Sequence, residues 1–130
     1  MILVMGSTGM FGRPVVEGLA KAGLPVRATA RTEKALTALD APGAELVPAD
    51  MDDPSTLLPL MNGVDKVLVN APMDAQKERR ERNVIEAMLR SGNGARIVLL
   101  TGGVQHDDDL GKAGLATETC MRSSGLPWTV

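Results

Sequence analysis

Apolar residues in this chain come in two spacings, and the spacings alternate. Ile2 to Met5 is an unbroken apolar run, the pattern of a strand covered on both faces. From Gly12 the spacing becomes helical. Val15, Val16, Leu19 and Ala20 share one face, Pro14 sits in the first turn where its missing N–H costs nothing, and Gly23 follows as the stop. Pro25 to Arg31 predicts a second strand, Glu33 to Leu39 a short helix and Ala44 to Pro48 a third strand. Pro54 opens a helix over Ser55 to Met61, closed by Asn62 and Gly63. Asp65 to Asn70 predicts a fourth strand, and Asp74 to Ser91 a long helix. The first half of that helix is charged (Lys77, Glu78, Arg79, Arg80, Glu81, Arg82), which predicts a solvated face laced with Glu/Arg pairs. Its second half carries Val84, Ile85, Met88 and Leu89. Arg96 to Thr101 predicts a fifth strand, about Ala113 to Ser124 a helix closed by Gly125, and Pro127 to Val130 the start of a sixth strand.

Strand and helix alternating in this way predict an α/β fold: a doubly wound parallel sheet with helices on both faces, since right-handed crossovers place them there. With glycines in the first turn, the expected arrangement is a Rossmann sheet of order 3-2-1-4-5-6, with its ligand crevice at the carboxyl ends of the strands. All 130 residues form one domain. The last residues, Trp128-Thr129-Val130, lie inside what reads as a strand, so truncation is expected, with a C-terminal substrate-binding part absent.

Composition narrows the partners. A net charge of −2 gives no basic stripe for nucleic acid, and one Phe, one Trp and no Tyr give no stacking platform. The apolar runs fall far short of the ~20 residues that span a membrane, and no leader pattern opens the chain, so a cytoplasmic location is expected. The single Cys120 suits a reducing compartment. It has no local activating group and reads as a helical core residue. His106 beside Asp107, Asp108 and Asp109 lacks the nitrogen and sulfur partners of a metal site, so no metal is expected.

The candidate chemistry begins at Gly6-x-x-Gly9-x-x-Gly12. The first glycine permits a tight turn with positive φ, the second leaves room for a pyrophosphate, and the third lets helix and strand pack closely. Gly6, Ser7, Thr8, Gly9, Met10, Phe11 and Gly12 together predict a dinucleotide seat, with helix N–H groups and dipole facing the phosphates. At the end of the second strand, where an acidic residue would bind the adenosine ribose, the chain has Arg31. A guanidinium suits a 2′-phosphate, which favours NADP and leaves NAD allowed. Arg13 and Lys34 are candidates to lie nearby. The competing reading of Arg31 is a surface pair with Glu33.

Gly-Ser-Thr-Gly-Met-Phe-Gly-Arg from Gly6, Arg31, the segment Ala49 to Asp53, Asn70-Ala71-Pro72 and Thr101-Gly102-Gly103-Val104 together resemble the NmrA-like branch of the atypical short-chain dehydrogenase/reductases. The resemblance runs from residue 1 to 130 and includes Glu118 and the closing Ser124 to Val130. It implies that Asp50 and Met51 flank an adenine, and that Asn70, Ala71 and Pro72 run beside the ribose towards the nicotinamide. It places Thr101 where catalytic members carry Ser or Thr. The chain departs from catalytic members in having no Tyr for a Tyr-x-x-x-Lys pair. His106 can serve as a proton donor in its stead, but Lys112 is not at the matching spacing. Two functions stay open. One is an NAD(P)H-dependent oxidoreductase passing hydride to a quinone or similar small acceptor, in the manner of type-2 quinone reductases. The other is a non-catalytic NADP(H) sensor acting on a regulatory partner protein. The apolar surface that an absent C-terminal part would cover also leaves an oligomer open.

Overall fold

The computed structural model describes residues 1–101 and 109–130. Among them six strands form one parallel sheet: β1 (Ile2–Met5), β2 (Val26–Ala30), β3 (Glu45–Pro48), β4 (Lys66–Val69), β5 (Arg96–Leu99) and β6 (Trp128–Thr129). Their order is β3-β2-β1-β4-β5-β6, as expected from the alternation. β1 lies in the middle, with Ile2 registered against Val26 on one side and Lys66 on the other. Among the described residues four α-helices accompany the sheet: α1 (Gly12–Lys21), α2 (Glu33–Leu36), α3 (Lys77–Ser91) and α4 (Asp109–Ser123).

Strand side chains alternate between two cores. Val4, Val26 and Ala28 pack with Val16 and Ala20 of α1 and Leu36 of α2. Leu3, Met5, Val67, Val69, Ile97 and Leu99 point the other way, onto Val84, Ile85 and Met88 of α3 and Met121 of α4. Among the described residues no helix is long and apolar enough to cross a membrane.

Four local expectations are corrected. The helix expected over Ser55 to Met61 is a pair of 3₁₀ turns, Pro54–Thr56 and Leu58–Met61. Pro59 has no N–H to continue an α-helical ladder through this stretch. Asp53 caps the first turn, its Oδ1 accepting from the Ser55 N–H at 3.0 Å. The helix from Glu33 stops at Leu36 rather than Leu39, where the Thr37 hydroxyl donates to the Lys34 carbonyl and the Leu39 N–H returns to Leu36. The long helix starts at Lys77, because Asp74 Oδ1 accepts from the Gln76 N–H at 2.8 Å and holds a turn ahead of it. The charged half of α3 is not a wholly solvated face. Lys77 and Glu81 are buried and paired, and they extend the stripe of Val84, Ile85 and Met88 towards the N-terminus of the helix.

Candidate functional site

At the carboxyl edge of the sheet, the turns that follow β1, β2, β3 and β4 enclose a cleft of about 540 Å³. Its floor is the β1–α1 turn, from which Gly6, Thr8, Gly9, Met10 and Phe11 line it. Gly6 has φ +73°, and a Cβ there would lie 2.1 Å from the Asn70 carbonyl oxygen. A Cβ on Gly12 would lie 2.1 Å from the carbonyl oxygen of Gly6. The third glycine is therefore required by the turn itself, more than by the packing of helix on strand. Gly9 differs: a Cβ there would meet only ordinary contacts, 3.4 Å from Gly6 O and 3.7 Å from Asn70 Nδ2. Nothing among the described residues needs Gly9 to be bare, and Gly9 lines the cleft, so the space it keeps open is space on the cleft side.

Ser7 stands behind this floor. It is buried, its hydroxyl donates to the Val4 carbonyl at 2.6 Å, and the same oxygen accepts from the Thr29 N–H at 2.9 Å. It splices the ends of β1 and β2 and does not line the cleft. Gly12 is buried as well. Gly6, Thr8, Gly9, Met10 and Phe11 do line the cleft. Among the described residues no side chain caps the N-terminus of α1 and no acidic residue occupies its first turn, where the Arg13 N–H donates to the Gly9 carbonyl at 3.0 Å.

Of the three basic candidates, only Arg31 lines the cleft. It follows β2 directly, is exposed, and makes no ion pair with Glu33 or any other described residue. Arg13 turns away to donate to the Ala38 carbonyl at 2.8 Å, with Glu17 beside it. Lys34 does not reach the lining. Asp50, Met51, Asn70, Ala71 and Pro72 all line the cleft. Thr101 is half-buried beyond β5 and stands apart from the lining, whereas His106 lies outside the described residues.

The charge run hid a further residue of the site. Arg80, from the first turn of α3, reaches the cleft between two acidic loops. Its Nε donates to Asp52 Oδ2 at 2.9 Å, and its Nη1 donates to both carboxylate oxygens of Asp74 at 2.8 Å. Arg79 donates to Asp52 Oδ1 at 2.6 Å. The Arg79 and then the Arg80 hydrogen bonds hold the Asp52 carboxyl below its ordinary range, and Arg80 and the Gln76 N–H do the same to Asp74. Only the position of Arg80, at the start of a helix that leaves the carboxyl edge, could have singled it out from its charged neighbours.

An uncapped helix N-terminus, a floor left bare at Gly9 and an unpaired guanidinium in one cleft fit a dinucleotide with its pyrophosphate at α1. Fold and cleft thus define a Rossmann-type nucleotide-binding domain. The profile of an NAD(P)H-binding family matches residues 6–130, and the chain belongs to that family, in keeping with its NmrA-like resemblance. It is 33% identical over 132 residues to an NAD(P)H azoreductase of Xenophilus azovorans, a match covering 99% of this chain and 46% of that protein. Quinone oxidoreductase 2 of Escherichia coli is 30% identical over 136 residues, covering 100% and 47% respectively. The NADPH complex of the E. coli NADPH-dependent quinone oxidoreductase superposes with a TM-score of 0.85 at 28% identity, over 98% of this chain and 47% of that one. The chain spans about half the length of the curated relatives it matches.

Proposed function

We propose that this chain is the NADP(H)-binding part of a reductase that passes hydride to a quinone or a similar small acceptor. The observation that carries the nucleotide half of this reading is the meeting of the open α1 N-terminus with the unpaired Arg31 in a single cleft. The α1 donors hold the pyrophosphate, and Arg31 takes the 2′-phosphate with parallel hydrogen bonds. Asp50 and Met51 flank the adenine, while Asn70, Ala71 and Pro72 run beside the ribose towards the nicotinamide. When bound, the nicotinamide supplies the hydride, and the protein supplies its orientation. Thr101 and His106 are the candidates to hold or deliver a proton at the acceptor. The similarity to a quinone oxidoreductase and an azoreductase supports an electron-poor, conjugated acceptor.

Arg31→Asp tests the cofactor assignment. Titration with NADPH and NADH should show the variant losing about tenfold or more in NADPH affinity, with NADH nearly unchanged. An equal change for both would sink the preference for NADP. The acceptor is tested by mixing the protein that carries this chain with NADPH and a panel of quinones and azo dyes, following the nicotinamide absorption band. Turnover supports the reductase. Tight binding without turnover supports instead a regulator that reads the NADP⁺/NADPH ratio, a reading that the absence of any Tyr from these residues fits at least as well.

A further inference from the structure

Two loops wall the cleft where the proposed adenine and ribose sit, one after β3 (residues 49–53) and one after β4 (residues 70–74). Among the described residues no hydrogen bond passes directly from one loop to the other. Both are tied instead to the first two turns of α3. Asn83 Nδ2 donates to the Met51 carbonyl at 2.9 Å, Arg79 holds Asp52, and Arg80 holds Asp52 and Asp74 together. Among the described residues Arg80 is the single side chain that hydrogen-bonds to both loops. Its side chain is 13% exposed, while the carboxylates it holds, Asp52 and Asp74, keep one side open to solvent. Its geometry also needs a guanidinium: Nε serves one carboxylate while Nη1 serves both oxygens of the other, which a single ammonium cannot reproduce at the same distances.

We infer that Arg80 is a positioning residue for the nucleotide, setting the width of the adenine slot by bracing Asp52 against Asp74. This rests on the NADP(H) reading above and extends it to a residue that need not touch the 2′-phosphate. Arg31 distinguishes the two cofactors, whereas Arg80 fixes the gap into which the adenine of either one slides. Loss of the brace lets the two loops separate and weakens both cofactors alike, because the slot must then be ordered at the moment of binding.

Four variants test this by titration with NADPH and NADH, each checked by a thermal melt. Arg80→Met should weaken both cofactors by about tenfold, leaving their ratio as in the wild type. Arg80→Lys should restore little, since it keeps the charge but loses the fork; full rescue by Lys would mean that charge alone matters and would overturn the inference. Asp52→Asn and Asp74→Asn leave Arg80 in place and weaken the brace from the other side, so each should lower both affinities in part. Asp74 is half-exposed, which makes Asp74→Asn the safe variant if Arg80→Met does not fold. Unchanged affinity in folded Arg80→Met refutes the brace. So does a loss confined to NADPH, and so does a loss in Arg80→Met with none in either Asp variant, since both would make Arg80 a direct ligand. Failure of the wild type itself to bind either cofactor would instead refute the underlying nucleotide reading.

Discussion

Glycine at three positions of one turn answers to two different demands. Gly6 and Gly12 are fixed by collisions within the protein, each with a carbonyl oxygen at 2.1 Å from the missing Cβ. Gly9 meets no such limit. Gly12→Ala should therefore destabilise the fold by at least about 2 kcal/mol, seen as an earlier urea midpoint. Gly9→Ala should melt like the wild type yet bind NADPH more weakly, because its methyl intrudes on the pyrophosphate. Normal NADPH affinity in Gly9→Ala would remove the seat from this turn. The triplet itself was legible in the sequence, since only glycine tolerates such close approach. The work of Ser7 was not. Its hydroxyl is committed to Val4 and Thr29, a pairing that exists only once β1 and β2 lie side by side.

Helix α3 shows where pattern reading stops. Its stripe of Val84, Ile85 and Met88 was plain, but the stripe continues through Lys77 and Glu81, which composition alone assigns to solvent. A pair four residues apart can enter a core because the two charges cancel and hydrogen-bond. Among the described residues Glu81 Oε2 nevertheless has no hydrogen-bond partner, so the pair is a poor stabiliser and a sensitive one. Lys77→Met leaves a buried carboxylate alone and should cost about 3–5 kcal/mol in urea unfolding. Adding Glu81→Leu should recover most of that loss. A double variant as weak as the single one would show that the site requires the charges. The stretch before Asn62 failed for another reason: its apolar residues have helical spacing, yet Pro59 breaks the ladder on which an α-helix depends.

For the whole molecule, alternation of elements was enough to give the strand order, since parallel strands with right-handed crossovers leave few arrangements. The site was less legible because it converges from several strand ends, and a charge run conceals which guanidinium turns inward. Ion pairs between separate segments predict a fold that weakens in acid. Asp52 is lowered by Arg79 and Arg80, Asp65 by the N-terminal ammonium, and Asp74 by Arg80 and the Gln76 N–H. Each folded carboxyl titrates below its unfolded value of about 3.9, so its stabilisation is complete above that pH and is lost as pH falls through the folded value. Melting temperature should decline below about pH 4, and a triple Asn variant should show a shallower decline from a lower plateau. A wild-type melting temperature that stays level into strong acid would contradict this. The central place of β1 carries a consequence for the nascent chain. β1 is translated before Lys66–Val69, one of its two neighbours, so during synthesis an unbroken apolar tetrapeptide waits, half-paired, for a strand the ribosome has yet to release.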